Sequence, residues 1–423
     1  MKELSVYIEI NGSPVLVGEI TGNDYSDSCF KYVDEYRESL DARAISVSLP
    51  IREEAFSVTQ TKSFFEGLLP EGFSRRALAN WARVQEEDYL AILEKLGQEC
   101  LGAILIIEKG KAWVEGEYIK LSMDEVHKLA AEGATKSTAV LMETHLSLTG
   151  ASGKVGLYYD KPNDDWYMPT GKLASTHIVK QSHVRLKGIV VNEQFCIRVA
   201  GRLGIEVPET FIVDLGNGKD DEVLFATKRY DRKMSDECGV NNLPKALRLH
   251  QEDFCQALSI AAADKYEHEN QSYLKRMFEV VRKVSSRPLE DQMKLWDLVV
   301  VNYLLGNTDC HLKNYSLIYS EDLKSIRLSP AYDIVCTVAY ESTKEMSYYI
   351  GGKLDIREID RESFAIAARE IGIGEKMAMK HFDELAGKLN DALNEVAQEM
   401  IEQGYEEAGK ISNNAMKGSG GHE

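Results

Sequence analysis

Gly306-Asn307-Thr308-Asp309-Cys310-His311-Leu312-Lys313-Asn314 is the stretch on which the reading of this chain turns. Before it, Met293, Trp296, Val300 and Tyr303 recur at helical spacing, so the stretch leaves a buried helix that Gly306 closes. After it come an apolar strand over 315–319, a turn over 320–324, a second strand over 325–328, and Pro330-Ala331-Tyr332-Asp333. An Asp, a nearby Asn, a β-hairpin and a second Asp therefore follow in that order. Phosphoryl transfer needs a carboxylate to take a hydroxyl proton and oxygen ligands to hold Mg²⁺ against the phosphates, and protein kinases supply them in this succession. Asp309, Asn314 and Asp333 fit that plan. An Asp/Asn-rich loop after a helix is ordinarily a turn, and the spacing alone recurs by chance. The succession of helix, loop, hairpin and Asp gives it weight.

Upstream, Ser147-Leu148-Thr149-Gly150-Ala151-Ser152-Gly153-Lys154 joins two apolar stretches. Glycines let backbone N–H groups approach phosphate, and Lys154 adds charge. It is not a Walker A loop, because Leu148 and Val155 stand where that motif needs Gly and Ser/Thr. Taken alone, a plain β-turn explains it. Next, Lys180 ends the apolar strand His177-Ile178-Val179-Lys180, and a helix carrying Asn192-Glu193 follows. A strand lysine ordinarily snorkels to solvent. A strand lysine paired with a helix glutamate is also how kinases fix nucleotide phosphates.

Competing chemistries are poorly served. The nine histidines include no pair at metal-ligand spacing. Ser152 lies in Gly-Ala-Ser-Gly, which is not a hydrolase elbow. Cys310 reads as a small filler in a tight loop rather than a nucleophile.

The 423 residues make two or three packed units. The opening, Leu4–Ile10, Asn11-Gly12 and Val15–Ile20, is a hairpin pattern with its turn signal, and Ile45–Pro50 reads as another short strand. The segment 62–84 turns helical with a break at Pro70, and Tyr89–Leu96 is a helix stopped by Gly97. Strands are expected near 155–159, 166–168, 176–180, 210–213 and 223–226, with one helix over 189–203. From about 248 the chain is mainly helical. Fifty Lys and Arg against 68 Asp and Glu give a net charge of −18, which argues against nucleic-acid binding through the whole surface. Seven scattered cysteines without a CxxC pair read as free thiols of a reducing compartment. The start of the chain does not read as a secretion leader, and no apolar run reaches the roughly 20 residues that span a bilayer. The expected location is cytoplasmic.

With these residues in hand, the chain resembles the HipA-type toxin serine/threonine kinases of bacterial toxin–antitoxin modules. The resemblance covers nearly the whole chain. It includes Gly67–Gly72 and Gly97–Ala103, then Ser147–Lys154, Thr176–Lys180, Asn192-Glu193 and Arg229–Arg232, and finally Leu249–Asp253, Asn307–Asn314 and Ser329–Asp333. It implies an α+β, two-lobed protein-kinase-like fold with an extra N-terminal β-rich subdomain and an all-helical C-terminal lobe. The divisions would be a subdomain over 1–110, a kinase-like N-lobe over 111–240, a C-lobe over 241–415 and a disordered tail over 416–423.

The resemblance also implies roles. Asp309 would be the catalytic base, and Asn314 and Asp333 would hold Mg²⁺. Lys180 would bind ATP phosphates under a loop of Thr149, Gly150, Ala151, Ser152, Gly153 and Lys154. His311 and Lys313 would line the phosphate site, with Tyr332 beside Asp333. Lys228, Arg229 and Tyr230 would be the hinge meeting the adenine. Ser147 matches the serine that such kinases autophosphorylate. Implied partners are a helix-turn-helix antitoxin, operator DNA through that antitoxin, and a protein substrate, which in this family includes aminoacyl-tRNA synthetases. Two departures stand out. The loop reads Gly-Ala-Ser-Gly-Lys where a Gln and a larger residue are frequent, and Cys310 stands where Gly or Arg is more usual.

Two other readings stay open on the residues. One is a phosphotransferase acting on a lipid or small molecule, which shares the Asp/Asn/Asp layout; the lack of a basic amphipathic segment argues against a lipid and a membrane. The other is a DNA-tethered co-repressor acting mainly by binding. No DNA-reading motif is evident in the chain, so that role needs a partner.

Overall fold

The computed structural model describes residues 2–97, 100–131, 154–181, 186–216, 222–269, 271–340 and 343–418. Its first sheet begins with the expected hairpin, Lys2–Ile10 against Ser13–Gly22, in the register Ile10 to Ser13. Asn11 and Gly12 both have positive φ, 49° and 77°, the twist that suits a two-residue connection between antiparallel strands. Leu4, Val6 and Ile8 face inward and are fully buried, as a two-residue period requires. Cys29–Tyr32 and Ile104–Glu108 complete an antiparallel sheet of four. The helical stretch splits where Pro70 stands, into Val58–Phe65 with a short 3₁₀ turn and Gly72–Ala82. Tyr89–Leu96 is the next helix.

The strand expected over Ile45–Pro50 is not one. Only an isolated bridge joins Ser46 and Leu49, and the segment turns tightly between them. The serines explain it. Ser46 Oγ donates to Glu252 and Ser48 Oγ to the Gln256 carbonyl, so hydroxyls facing another lobe hold the backbone as a loop.

The second sheet has six antiparallel strands, in the spatial order Tyr118–Lys120, Asp165–Pro169, Lys154–Asp160, His177–Gln181, Val223–Lys228 and Thr210–Asp214. The edge strand Tyr118–Lys120 was not legible beforehand, being three residues long and half exposed. Alternation splits the central strands. Val179, Leu224 and Ala226 pack into a small core on one face, while Ile178, Lys180, Phe225 and Thr227 look into the cleft. The helix Ile189–Arg202 packs beside the sheet, with Val190, Phe195 and Val199 buried in the main core.

The bulk of the C-terminal region is helical: Tyr273–Val284, Pro288–Leu304, Arg361–Ile371, the 28-residue Glu375–Glu402, and Glu407–Gly418. One amendment to the all-helical expectation is needed. The expected hairpin, Ser316–Tyr319 with Ile326–Leu328, pairs with Gln251–Asp253 into a three-stranded sheet, and Glu345–Ile350 with Lys353–Asp355 forms a second ribbon. The last helix also takes in residues 416–418, which the expected tail included; 419–423 lie outside the described residues.

Pro288–Leu304 is the core helix. It starts with proline in its first turn and buries Trp296, Val300 and Leu304 completely. It ends at Gly306, whose φ is 69° and where a Cβ would lie 2.4 Å from Val338. No other residue fits there, and the chain turns sharply into 307–314.

Candidate active site

Two adjoining cavities between the lobes form one cleft. The larger has a volume of about 450 Å³, and both share Lys154, Lys180, Glu193, Lys313, Tyr332 and Asp333 on their walls. Ile178, Phe225 and Thr227 make the narrower end apolar, while Asp309, His311 and Asn314 make the wider end polar.

Lys180 is the node between the ends. Its Nζ donates to Glu193 Oε1 at 2.7 Å and to Asp333 Oδ1 at 2.5 Å. Burial works against both charges of the Lys180–Asp333 pair, but their attraction outweighs it. The ammonium is held well above its ordinary range and the Asp333 carboxyl well below, with Lys154 helping. Glu193 is raised, because its burial is not fully offset by Lys180. Asp333 sits at φ 58°, a left-handed conformation that Asp tolerates better than most residues and that turns the chain after Tyr332. Lys154 lies directly opposite Lys180 in the strand register. Burial and the neighbouring ammonium lower it to about 8.

The segment 307–314 is tied to itself. Asn314 Nδ2 donates to the Asp309 carbonyl at 2.8 Å, the Asp309 N–H to Asn307 Oδ1 at 3.2 Å, and Asn307 Nδ2 to Asn302 Oδ1 at 2.7 Å. Asn314 thus braces the loop through its amide while the residue lines the cavity. The Asp309 carboxylate opens onto the cavity. The depth of its setting raises it, and a 2.6 Å bond from the Tyr266 hydroxyl pulls it back. His311 is buried, and burial with nearby Lys265 lowers it to about 3, so it is neutral. Lys313 donates to Asp253 Oδ2 at 2.8 Å and lies 3.5 Å from Glu71 Oε1. Cys310 is the expected filler: it is fully buried and burial pushes its thiol up to about 11.

At the narrow end, Tyr230 stacks on Tyr332 with centroids 5.6 Å apart. The Tyr332 hydroxyl donates to the Lys313 carbonyl at 2.9 Å, which links this end to the loop. Lys228 lines the wall and is exposed. The Arg229 side chain is differently disposed from Lys228 and Tyr230. The residue is 2 % exposed, and its guanidinium grips both Asp231 oxygens at 2.8 and 2.7 Å and reaches Ser175 Oγ at 2.9 Å. Its charge is taken up by Asp231 while the residue still lines the cavity wall.

The cleft thus brings together Lys154, Lys180, Lys228, Arg229, Tyr230, Asp309, His311, Lys313, Asn314, Tyr332 and Asp333. Ser147, Thr149, Gly150, Ala151, Ser152 and Gly153 lie outside the described residues. Sequence reasoning missed Glu71, Lys265 and Tyr266. Glu71 precedes the helix Gly72–Ala82, and its Oε2 accepts from Lys265 Nζ at 2.7 Å across 194 residues of chain. Nothing local marks such a contact.

This arrangement can hold a polyanion between Lys180, Lys154 and Lys313, pack a planar group against the apolar end, and present a carboxylate to a hydroxyl. Residues 8–107 match the family model described as the HipA N-terminal domain, and residues 146–400 match the HipA-like C-terminal domain. The protein named "Putative kinase Y4mE", of Sinorhizobium fredii, is 31% identical over 392 residues, 91% of this chain and 90% of that one. The serine/threonine-protein kinase toxin HipA of Shewanella oneidensis is 25% identical over 408 residues, 92% and 89% of the two chains. Among solved structures, a complex of Shewanella oneidensis HipA, HipB and operator DNA matches 97% of this chain and 96% of the other, with a TM-score of 0.79 at 21% identity, a likeness of fold. Among the described residues, no helix is long and apolar enough to cross a membrane.

Proposed function

This chain belongs to the HipA family of serine/threonine protein kinases, and from that premise we propose that it acts as the toxin of a toxin–antitoxin module by moving the γ-phosphoryl group of ATP to a protein hydroxyl. The observation that carries the reading is the Lys180 ammonium, bonded to Glu193 and Asp333 on one wall of a cavity whose other wall presents Asp309 and Asn314.

Each residue has a physical part. The apolar end between Ile178, Phe225 and the stacked Tyr230–Tyr332 pair takes the adenine, beside the Lys228–Tyr230 hinge. Lys180, held in place by Glu193, takes phosphate oxygens, and Lys154 and Lys313 add charge at either side. Asp309 is within the cavity that an acceptor hydroxyl would enter and accepts its proton as the oxygen attacks. Neutral His311 offers an N–H rather than a second charge.

Among the described residues, no group of three or more His, Cys, Asp or Glu could hold a metal by itself. The donor set of Asn314 and Asp333, one amide oxygen and one carboxylate, suits Mg²⁺ shared with nucleotide phosphates and water. When bound, Mg²⁺ offsets the charge that develops on the transferring group.

Finer assignments follow the same reading. The inhibitor is a helix-turn-helix antitoxin, which also brings the chain to operator DNA, since a net charge of −18 disfavours direct contact. The substrate is a cytoplasmic protein, with aminoacyl-tRNA synthetases the first class to examine. Ser147 is the autophosphorylation site, taken in trans. The purified chain with Mg-ATP and a lysate of its host should produce new Ser or Thr phosphosites by mass spectrometry, strongly reduced with Asp309→Asn. A phosphorylated small molecule with no protein site, or no transfer at all, overturns the reading.

A further inference from the structure

Tyr266 has no part in the roles assigned so far, yet its hydroxyl makes the one side-chain hydrogen bond to the Asp309 carboxylate among the described residues, to Oδ1 at 2.6 Å. We propose that Tyr266 is a positioning residue for phosphoryl transfer: it holds one oxygen of Asp309 so that the other, Oδ2, is presented to the acceptor hydroxyl. This rests on the kinase reading and goes beyond it.

A carboxylate with a single χ2 torsion and no partner rotates broadly, and a base that must meet a proton at 2.6–3.2 Å cannot afford that freedom. The loop braces the backbone of Asp309 through Asn314 and Asn307 but leaves its side chain untouched. Tyr266 supplies the missing constraint.

Tyr266 is itself fixed from both sides. The carbonyl of Lys265 accepts from the Leu312 N–H at 3.4 Å, so the segment is tied to the catalytic loop it serves. Lys265 Nζ is anchored on Glu71 of the N-terminal subdomain. On the other side, Glu267 is 4 % exposed, its N–H donates to the Ser347 carbonyl at 2.8 Å, and its carboxylate accepts from the N–H groups of Tyr273 and Tyr349 at 3.2 and 3.0 Å. The ring stands edge-on to His311, centroids 5.2 Å apart, and the residue is 37 % exposed and lines the cavity. A tyrosine so held, and partly in solvent, is placed for its hydroxyl and not for burial of its ring.

The test compares the wild-type chain with Tyr266→Phe, which keeps the ring and removes only the hydroxyl. The acceptor is the protein identified in the lysate experiment, with ADP formation measured in parallel. The expected result is a fall in kcat of about tenfold or more, with KM for ATP and for acceptor within about twofold and the ATP-induced rise in melting temperature unchanged. In an Asp309→Asn background, Tyr266→Phe should have no further effect on the residual rate, because the group it positions is gone. Unchanged kcat overturns the proposal. So does a lower acceptor KM with kcat kept or raised, which makes Tyr266 a plug that acceptors displace. A wild-type chain that transfers phosphate to no protein overturns the kinase reading itself, and this proposal with it.

Discussion

Lys180 and Glu193 form a buried ion pair, Nζ to Oε1 at 2.7 Å, joining the strand His177–Gln181 to the helix Ile189–Arg202, and Asp333 from the other lobe shares the same ammonium. The pair therefore couples the two lobes as well as furnishing the cleft with charge. Lys180→Met should abolish transfer and weaken ATP binding. It also strips the buried Glu193 and the half-buried Asp333 of their directly bonded cation, leaving Lys154 as the nearest one, so the fold should lose up to about 3 kcal/mol. Denaturant unfolding checks the second effect, and the loss should shrink at pH 4, where those carboxylates can take up protons.

Asp309 and Asp333 should separate chemistry from binding. Asp309→Asn keeps the loop's shape, so ATP affinity should change little while transfer falls by at least about 100-fold. Asp333→Ala should instead weaken nucleotide binding in Mg²⁺ and leave binding in EDTA much less affected. Calorimetric titration with and without the metal decides both.

Glu252 ties the catalytic lobe to the N-terminal subdomain. It is 1 % exposed and accepts from Ser46 Oγ at 2.5 Å, the Val47 N–H at 2.9 Å, and the Tyr319 hydroxyl, with no cation among these partners. Burial raises it from 4.5 to about 7. A folded value above the unfolded one means the folded chain binds the proton more tightly. The resulting stability is fully present below about pH 4.5 and is lost as pH rises through about 7. Glu252→Gln removes that dependence. The stability of the variant minus that of the wild type should therefore grow by as much as roughly 3 kcal/mol between pH 5 and pH 8. Taking the difference cancels the opposite slope from His177, His250 and His311, which burial holds at about 4, 4 and 3. Denaturant midpoints across that range measure it; a flat or shrinking difference contradicts the buried carboxylate.

All seven cysteines are free thiols, with Cys238 exposed, Cys29 intermediate and the other five buried. Thiol titration of the native chain without reductant should find at most two reactive groups, and all seven on denaturation. Burial pushes Cys310 and Cys336 up to about 11, so neither should react quickly even in a partly opened cleft.

The sequence by itself determined the main elements around the cleft and their order. Asn11-Gly12 specified the first hairpin because two positive φ angles in a row suit few other pairs. Pro70 divided a helix because it lacks an N–H, and Gly306 ended one because glycine takes the positive φ of a helix terminus without strain. Asp309, Asn314 and Asp333 were legible because their spacing along one loop and hairpin is local, and Lys180 with Glu193 because strand and helix adjoin in the chain. The structure alone decided what long-range packing controls. Ser46 and Ser48 reject a strand only because Glu252 and Gln256 stand beside them, and Arg229 turns to Asp231 because a buried guanidinium needs a carboxylate. Glu71 reaches Lys265, and Tyr266 reaches Asp309, across 194 and 43 residues. No periodicity or motif encodes such contacts. They exist because separate hydrophobic faces are buried against one another, and polar side chains at the seams find partners that the linear order never places together.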